Sequence, residues 1–130
     1  MMIDHIAIQV SDLKKSLHFY DHALAPLGYK SITEAPLKNE RGILIFGWED
    51  SLKTDVWISE GLGTRPLLHV AFRVENREQV DEFYRLALSA GGKDNGRPGI
   101  RPKYHANYYG AFVLDPDGHN IEAVCHSPGR

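Results

Sequence analysis

The chain contains two related segments, and this internal repeat limits the possible folds more than any other feature. Residues 3–30 and 67–94 align at one offset of 64 without a gap. Identical residues at that offset are His5/His69, Ala7/Ala71, Val10/Val74, Phe19/Phe83, Tyr20/Tyr84, Ala23/Ala87, Leu24/Leu88 and Gly28/Gly92. Chance matches rarely keep register this long, and two copies are too few for a solenoid. The repeat therefore predicts a duplicated module whose two copies pair.

Each copy begins with a strand pattern and changes to a helix pattern. Apolar residues alternate with other residues over 5–10 and again over 69–74, which predicts strands with one buried face. Apolar spacings of three and four residues follow, beginning at Asp12 in the first copy. In the second copy Asn76 is a good N-cap, with Gln79 placed for a capping box.

The rest of each copy reads as three further short strands. We predict them near 29–34, 42–48, 55–60, 93–96, 108–114 and 119–126. The segment 115–118, Asp-Pro-Asp-Gly, is a turn signal that joins the last two strands as a hairpin. The plan is β-α-β-β-β, twice: one α+β domain over residues 1–130, with modules 1–64 and 65–130. Since each helix covers one sheet face, the other face is free to line a cleft.

Three side chains on the predicted open faces have metal-ligand chemistry. Alternation places His5 and His69 on the faces away from the helices, at equivalent points of the two modules. If the modules pair with approximate two-fold symmetry, the two imidazoles converge on one cleft. Glu122 lies in the last strand, and two imidazoles with one carboxylate suit Fe(II), Mn(II), Zn(II) or Ni(II). We therefore predict a divalent metal held by these three residues.

Three segments carry a resemblance to a known family: residues 3–29, 67–74 and 108–124. The last is the most specific, with a Phe-Val-x-Asp-Pro-Asp-Gly hairpin leading into Ile-Glu. Over nearly its whole length the chain resembles the vicinal oxygen chelate superfamily, which includes glyoxalase I, bleomycin-resistance proteins, fosfomycin-resistance proteins and extradiol dioxygenases. The resemblance implies paired βαβββ modules that form a curved mixed sheet around a metal-binding cleft. It places the family's ligands on His5, His69 and Glu122.

The sequence departs from glyoxalase I at the fourth ligand, a carboxylate in the last strand of the first module. Subtracting 64 from Glu122 gives Ile58, and a small hairpin adjustment gives Trp57. Neither residue is a ligand, and the flanking Asp55 and Glu60 are off register. Three ligands are more similar to the dioxygenase and fosfomycin-resistance branches, although the short length argues against a two-domain extradiol dioxygenase.

The segment 96–109 is expected to be an ordered, irregular loop that arches over the cleft, because it holds two prolines and two glycines. The alternative is a solvated loop with aromatic residues packed beneath it. The residues that we predict to contact substrate are Trp57, Arg101, Lys103, His105, Tyr108 and Tyr109. Candidates for the catalytic base are Glu122 and Tyr109. His119 and His126 are expected at the surface.

Composition excludes several classes of partner. A net charge of −2 gives no basic patch for nucleic acid or an anionic membrane, and no apolar run is long enough to span a bilayer. We expect no secretory leader, since residues 1–5 lack a basic and apolar start. Cys125 is the only cysteine, which favours the reducing cytoplasm.

The leading functional hypothesis is a metal-dependent enzyme, a lyase or isomerase, acting on a small molecule with two neighbouring oxygens. Two alternatives stay open: a metal-free binder of a drug or metabolite, as in the bleomycin-resistance branch, and an Fe(II) dioxygenase. The resemblance also implies a homodimer, because the family often pairs subunits across these sheets.

Overall fold

The strands form two mixed sheets. A computed structural model describes residues 3–50 and 54–129, and within that part of the chain one sheet has five strands and the other four. The elements in chain order are β1 (Ile6–Val10), α1 (Leu13–Leu24), β2 (Lys30–Ser31), β3 (Leu37–Lys38), β4 (Leu44–Glu49), β5 (Thr54–Glu60), β6 (His69–Val74), α2 (Arg77–Ser89), β7 (Lys93–Ile100), β8 (Tyr109–Leu114) and β9 (Asn120–Cys125). The predicted α+β fold class is confirmed. The predicted module boundary, 64/65, lies between β5 and β6.

In each module the first strand pairs with the last strand. β1 lies parallel to β5 in the first sheet, and β6 lies parallel to β9 in the second. The remaining strands continue each sheet outward by antiparallel pairing, in the orders β1-β5-β4-β2 and β6-β9-β8-β7. The repeated sequence therefore gives the same topology twice, with equivalent starting strands.

Local sequence signals define where the helices begin and end. The Asp12 side chain accepts a hydrogen bond from the Lys15 amide, which caps α1. Asn76 and Gln79 form the predicted capping box at the start of α2. A short 3₁₀ turn, Ala25–Leu27, continues α1 and ends at Gly28, whose φ of 94° is in the left-handed region that glycine adopts without strain.

One continuous core lies between the helices and the two sheets. Phe19 and Phe83, equivalent in the repeat, are fully buried on α1 and α2. Burial of each such aromatic ring contributes roughly 2–3 kcal/mol. The helices pack against each other, and the Gln79 amide of α2 donates to the Pro26 carbonyl that follows α1. The helix-facing sides of both sheets thus belong to one core, and their opposite sides stay open.

Two sequence expectations need correction. Residues 96–100 belong to β7, although we expected the irregular loop to begin at residue 96. Pro98 is tolerated there because β7 is an edge strand, and the register shifts around Gly96 and Gly99 absorb the irregularity. In the first module, the strand expected over 29–34 is only Lys30–Ser31, and the short β3 pairs separately with β4.

The β8–β9 hairpin is fastened to the first module by a buried carboxylate. Asp115 is 4% exposed and accepts hydrogen bonds from the backbone amides of Asp117 and His119. Its other oxygen accepts from the Tyr20 hydroxyl of α1 at 2.5 Å. One side chain therefore shapes the turn and joins the two modules.

None of the helices in the described residues is long and apolar enough to cross a membrane.

We predict that Asp115→Ala lowers the free energy of unfolding by about 3 kcal/mol, because it strands three donors at a buried position. Tyr20→Phe removes one of the three hydrogen bonds and should cost about 1 kcal/mol. Urea unfolding followed by circular dichroism measures both values. Equal losses for the two variants would show that the carboxylate does not organise the turn.

Candidate functional site

The open face of the second sheet carries a histidine–carboxylate pair. His69 Nε2 lies 2.8 Å from Glu122 Oε1. The side chain of His69 is 53% exposed, whereas that of Glu122 is 1% exposed. The pairing of β6 with β9 explains the contact, because Glu122 lies opposite Ala71, two residues from His69 on the same face. The small side chain of Ala71 leaves space in front of the carboxylate.

Tyr108 holds the second oxygen of this carboxylate. Its hydroxyl donates a hydrogen bond to Glu122 Oε2. Gly110 makes room for the contact: a Cβ there would lie 3.2 Å from the Tyr108 ring and 3.3 Å from Glu122 Oε2. Burial, and then the hydrogen bond to the carboxylate, raise the pKa of Tyr108 well above its ordinary value. Tyr108 therefore stays a neutral donor and fixes the orientation of Glu122.

His5 has other partners within its own chain. Its Nδ1 lies 2.7 Å from Asp4 Oδ1, and its ring stacks on Trp57 with centroids 3.6 Å apart. His5 and His69 border one open cavity of about 350 Å³ between the modules. Nevertheless, within residues 3–50 and 54–129, no three His, Cys, Asp or Glu side chains are close enough to hold a metal ion. A single chain thus brings His69 to Glu122 but does not bring His5 to them.

Strand register identifies the first-module counterpart of Glu122. Ala7 pairs with Trp57, and its repeat partner Ala71 pairs with Glu122. Of the two positions that the sequence allowed, Ile58 and Trp57, the pairing selects Trp57. An indole thus occupies the position where a fourth, carboxylate ligand would lie, and it forms the wall against which His5 stacks.

A second histidine pair lies beside Tyr108. His105 Nε2 and His126 Nδ1 are 2.8 Å apart, and both rings contact the Tyr108 ring. We expected His126 at the surface without a partner. The sequence does contain a pattern that places His126 near Glu122: in a strand, residues 122, 124 and 126 share one face. Burial, and then the positive charge of Arg73, lower the pKa of His126.

His119 is a further residue that sequence reasoning misplaced. It is fully buried, and its Nδ1 accepts a hydrogen bond from the Leu68 amide, so it is not at the surface. The contact ties the β8–β9 turn to the residue before His69. His119 therefore supports the site from behind instead of lining it.

Comparisons with known proteins identify the family of this chain. The model of the Glyoxalase/Bleomycin resistance protein/Dioxygenase superfamily matches residues 2–123. The chain belongs to that superfamily. The resemblance inferred from the sequence motifs is therefore confirmed.

Individual members of the superfamily are similar over most of the chain. The metallothiol transferase FosB of Shouchella clausii is 28% identical over 123 residues, which are 92% of this chain and 77% of that protein. A glyoxalase/bleomycin resistance protein from Albidiferax ferrireducens has a crystal structure with a TM-score of 0.73 and 26% identity, covering 98% of this chain and 100% of that one. A glyoxalase I mutant from Zea mays has a TM-score of 0.66 at 24% identity and shares the fold. The match covers 94% of this chain and 46% of the Zea mays chain.

The structure places Tyr109, predicted to be catalytic and to contact substrate, on the helix side of the second sheet. Its hydroxyl donates to Asp81 of α2 at 2.7 Å, and the Arg77 guanidinium lies over its ring. Neighbouring residues of a strand point to opposite faces, so Tyr109 points away when Tyr108 reaches Glu122. Burial, and then the Asp81 hydrogen bond and charge, raise the pKa of Tyr109 to about 12.

We predict that Asp81→Asn lowers the pKa of Tyr109 towards 10, because the variant removes a negative acceptor from the phenol. Tyrosinate absorbance after a rapid jump to alkaline pH measures the ionisation before the protein unfolds. Glu82→Gln is the matched control, since Glu82 pairs with Arg85 and should leave the titration unchanged. An Asp81→Asn curve identical to that of the wild type would contradict the assigned contact.

Proposed function

We propose that this chain is a metal-dependent enzyme that acts on a small molecule through two neighbouring oxygens, with lyase- or isomerase-type chemistry. One observation carries the proposal: a carboxylate that is 1% exposed lies 2.8 Å from a half-exposed imidazole at the mouth of an open sheet face. Burial of a carboxylate costs several kcal/mol unless it is paired. Here the carboxylate is paired with one imidazole and one phenol, and such a buried polar cluster beside an open face is more characteristic of a binding centre than of a structural contact.

The donor atoms of this pair fit a divalent metal. His69 Nε2 and Glu122 Oε1 lie 2.8 Å apart, so these two atoms would hold one ion as neighbouring ligands. Imidazole and carboxylate suit Zn, Ni, Mn or Fe. When bound, such an ion supplies positive charge that stabilises an oxyanion developing on the substrate.

We further propose that His5 completes the centre from a second copy of the chain. His5, His69 and Ala71 are exposed on open sheet faces, and His5 does not join Glu122 within its own chain. A two-fold dimer that brings the first sheet of one subunit against the second sheet of another would cover both faces. The three predicted ligands would then meet twice per dimer.

The surrounding side chains have separable roles in this proposal. Tyr108 keeps the carboxylate of Glu122 oriented, and Oε2 is the atom placed to accept a substrate proton once Tyr108 releases it. Trp57 supplies a flat apolar wall that excludes water beside His5. Tyr109 has no role here, because its hydroxyl is committed to Asp81.

The comparisons support this class of function at a coarse level. The curated relative from Shouchella clausii is named a metallothiol transferase. The proposal includes a cytoplasmic setting. Its basis is Cys125, a buried free thiol of the kind that a reducing compartment maintains.

A second candidate is a metal-free protein that sequesters a small molecule. The stacking of His5 on Trp57 favours it, because a flat aromatic surface binds planar ligands and because His5 already has a partner, Asp4. Metal content of the purified protein separates the two functions. Iron at full occupancy, with oxygen uptake on addition of a catechol, would instead indicate the dioxygenase.

We predict that His69→Ala and Glu122→Ala each remove the tightly bound divalent metal, because each removes one of three protein ligands. Elemental analysis of protein purified without chelators measures the content. His22→Ala is the control, because it removes an exposed imidazole from α1, and α1 packs on the face of the first sheet opposite the open face. Retention of the same metal by all variants would defeat the metal-centre proposal.

We predict that His5→Ala and Glu122→Ala chains restore metal binding when they form mixed dimers. Each mixed dimer would contain one site with all three ligands, so an equal mixture should hold roughly a quarter of the wild-type metal. Each variant alone should hold none. A mixture that stays empty, although subunit exchange is confirmed by mass spectrometry, would show that the ligands come from one chain.

A further inference from the structure

A small open cavity lies directly beside His69 on the second sheet. Its volume is about 270 Å³, and its inner wall includes Phe112 and Asn120. Asn120 pairs with His69 in the β6–β9 register, and Phe112 pairs with Glu122 in the β8–β9 register. Paired strands are about 4.8 Å apart, so one small molecule can occupy the cavity and reach His69 at the same time.

Arg101 brings a positive charge to this cavity and is held there by backbone atoms. Its Nη1 donates to the Gly99 carbonyl at 2.9 Å and its Nη2 to the Arg97 carbonyl at 2.6 Å. Its guanidinium lies over the Phe112 ring. In the described part of the chain no carboxylate forms an ion pair with Arg101. Carbonyl groups position the guanidinium without cancelling its charge, which is permanent at any physiological pH.

Two glycines make this placement of Arg101 feasible. A Cβ at Gly96 would lie 2.8 Å from Phe112 Cδ1 and 3.2 Å from Arg101 Nη2. A Cβ at Gly99 would lie 3.2 Å from Arg101 Nη1. Side chains at either position would push the guanidinium away from the cavity. The irregular β7 edge is thus shaped around a preorganised cation.

Two further polar groups line the same cavity. Lys103 is exposed, with its ammonium 5.2 Å from the centre of the Tyr104 ring, and it forms no ion pair with the described residues. Asn120 Oδ1 is buried and has no hydrogen-bond partner. An unpaired buried amide oxygen costs about 1–3 kcal/mol, and rotation of the amide presents its N–H donors instead. The cavity therefore offers two cations and an unused amide to an occupant.

We propose that this cavity is an anion-binding subsite that takes the carboxylate, phosphonate or phosphate group of the substrate. The inference rests on the proposed function, and it narrows the substrate class to small molecules with an anionic group a few bonds from the chelating oxygens. Arg101 anchors the anion, Lys103 adds charge at the rim, and Asn120 donates from the floor. The same contacts would orient the substrate relative to His69 and Glu122.

Titration of the purified protein with inorganic phosphate, and separately with acetate, tests the proposal. Calorimetry at constant ionic strength, with chloride as the background anion, gives both dissociation constants. Arg101→Met should weaken binding of the preferred anion about tenfold, because a hydrogen bond to a charged group is lost. Lys103→Met should weaken it about threefold, as expected of an exposed charge. Tighter binding of phosphate or of acetate identifies which anionic group the subsite takes.

Lys14→Met is the control, since it removes one charge from the exposed surface of α1. Unchanged affinity in Lys14→Met beside weakened affinity in Lys103→Met supports the subsite even if Arg101→Met unfolds. Equal weakening in all variants, or the absence of phosphate and acetate binding by the wild type, overturns it. Metal analysis of the same samples separates the two proposals. Bound metal without anion binding that depends on Arg101 or Lys103 supports only the proposed function. Anion binding that depends on these residues, without bound metal, supports only the subsite.

Discussion

The parallel pairing of the first and last strands in each module is the constraint on which the site depends. It sets Ala71 opposite Glu122 and His69 opposite Asn120, and it does so from strands that are about fifty residues apart in sequence. Strand side chains alternate between faces, so a slip of one residue would turn Glu122 into the core. Capped helices, the Asp115 turn and the His119 contact all hold this register in place.

Glu122 shows how the fold supports a buried charged group. A carboxylate removed from water is costly, and here the cost is offset by one imidazole, one phenol and a glycine that leaves room for both. None of these contacts extends the hydrophobic core. The second sheet therefore combines a stable helix-covered face with an open face on which polar side chains are held in fixed positions.

Sequence reasoning succeeded where local chemistry decides the outcome. The helix caps, the hairpin turn and the alternation that exposes His5 and His69 follow from short-range patterns. It failed where the outcome depends on distant partners. The extension of β7 through Pro98 required an edge position, and the inward burial of His119 required the Leu68 amide. The separation of His5 from Glu122 follows from how whole modules pack, which no single motif encodes.

Trp57 marks a chemical difference between the two copies of the module. The two copies start with equivalent strands, β1 and β6. The position that holds a carboxylate in the second copy holds an indole in the first. At this position the second half therefore presents a carboxylate, and the first half presents an aromatic surface on which His5 stacks. An engineered centre with one more oxygen donor would therefore begin with substitution of Trp57, the register equivalent of Glu122.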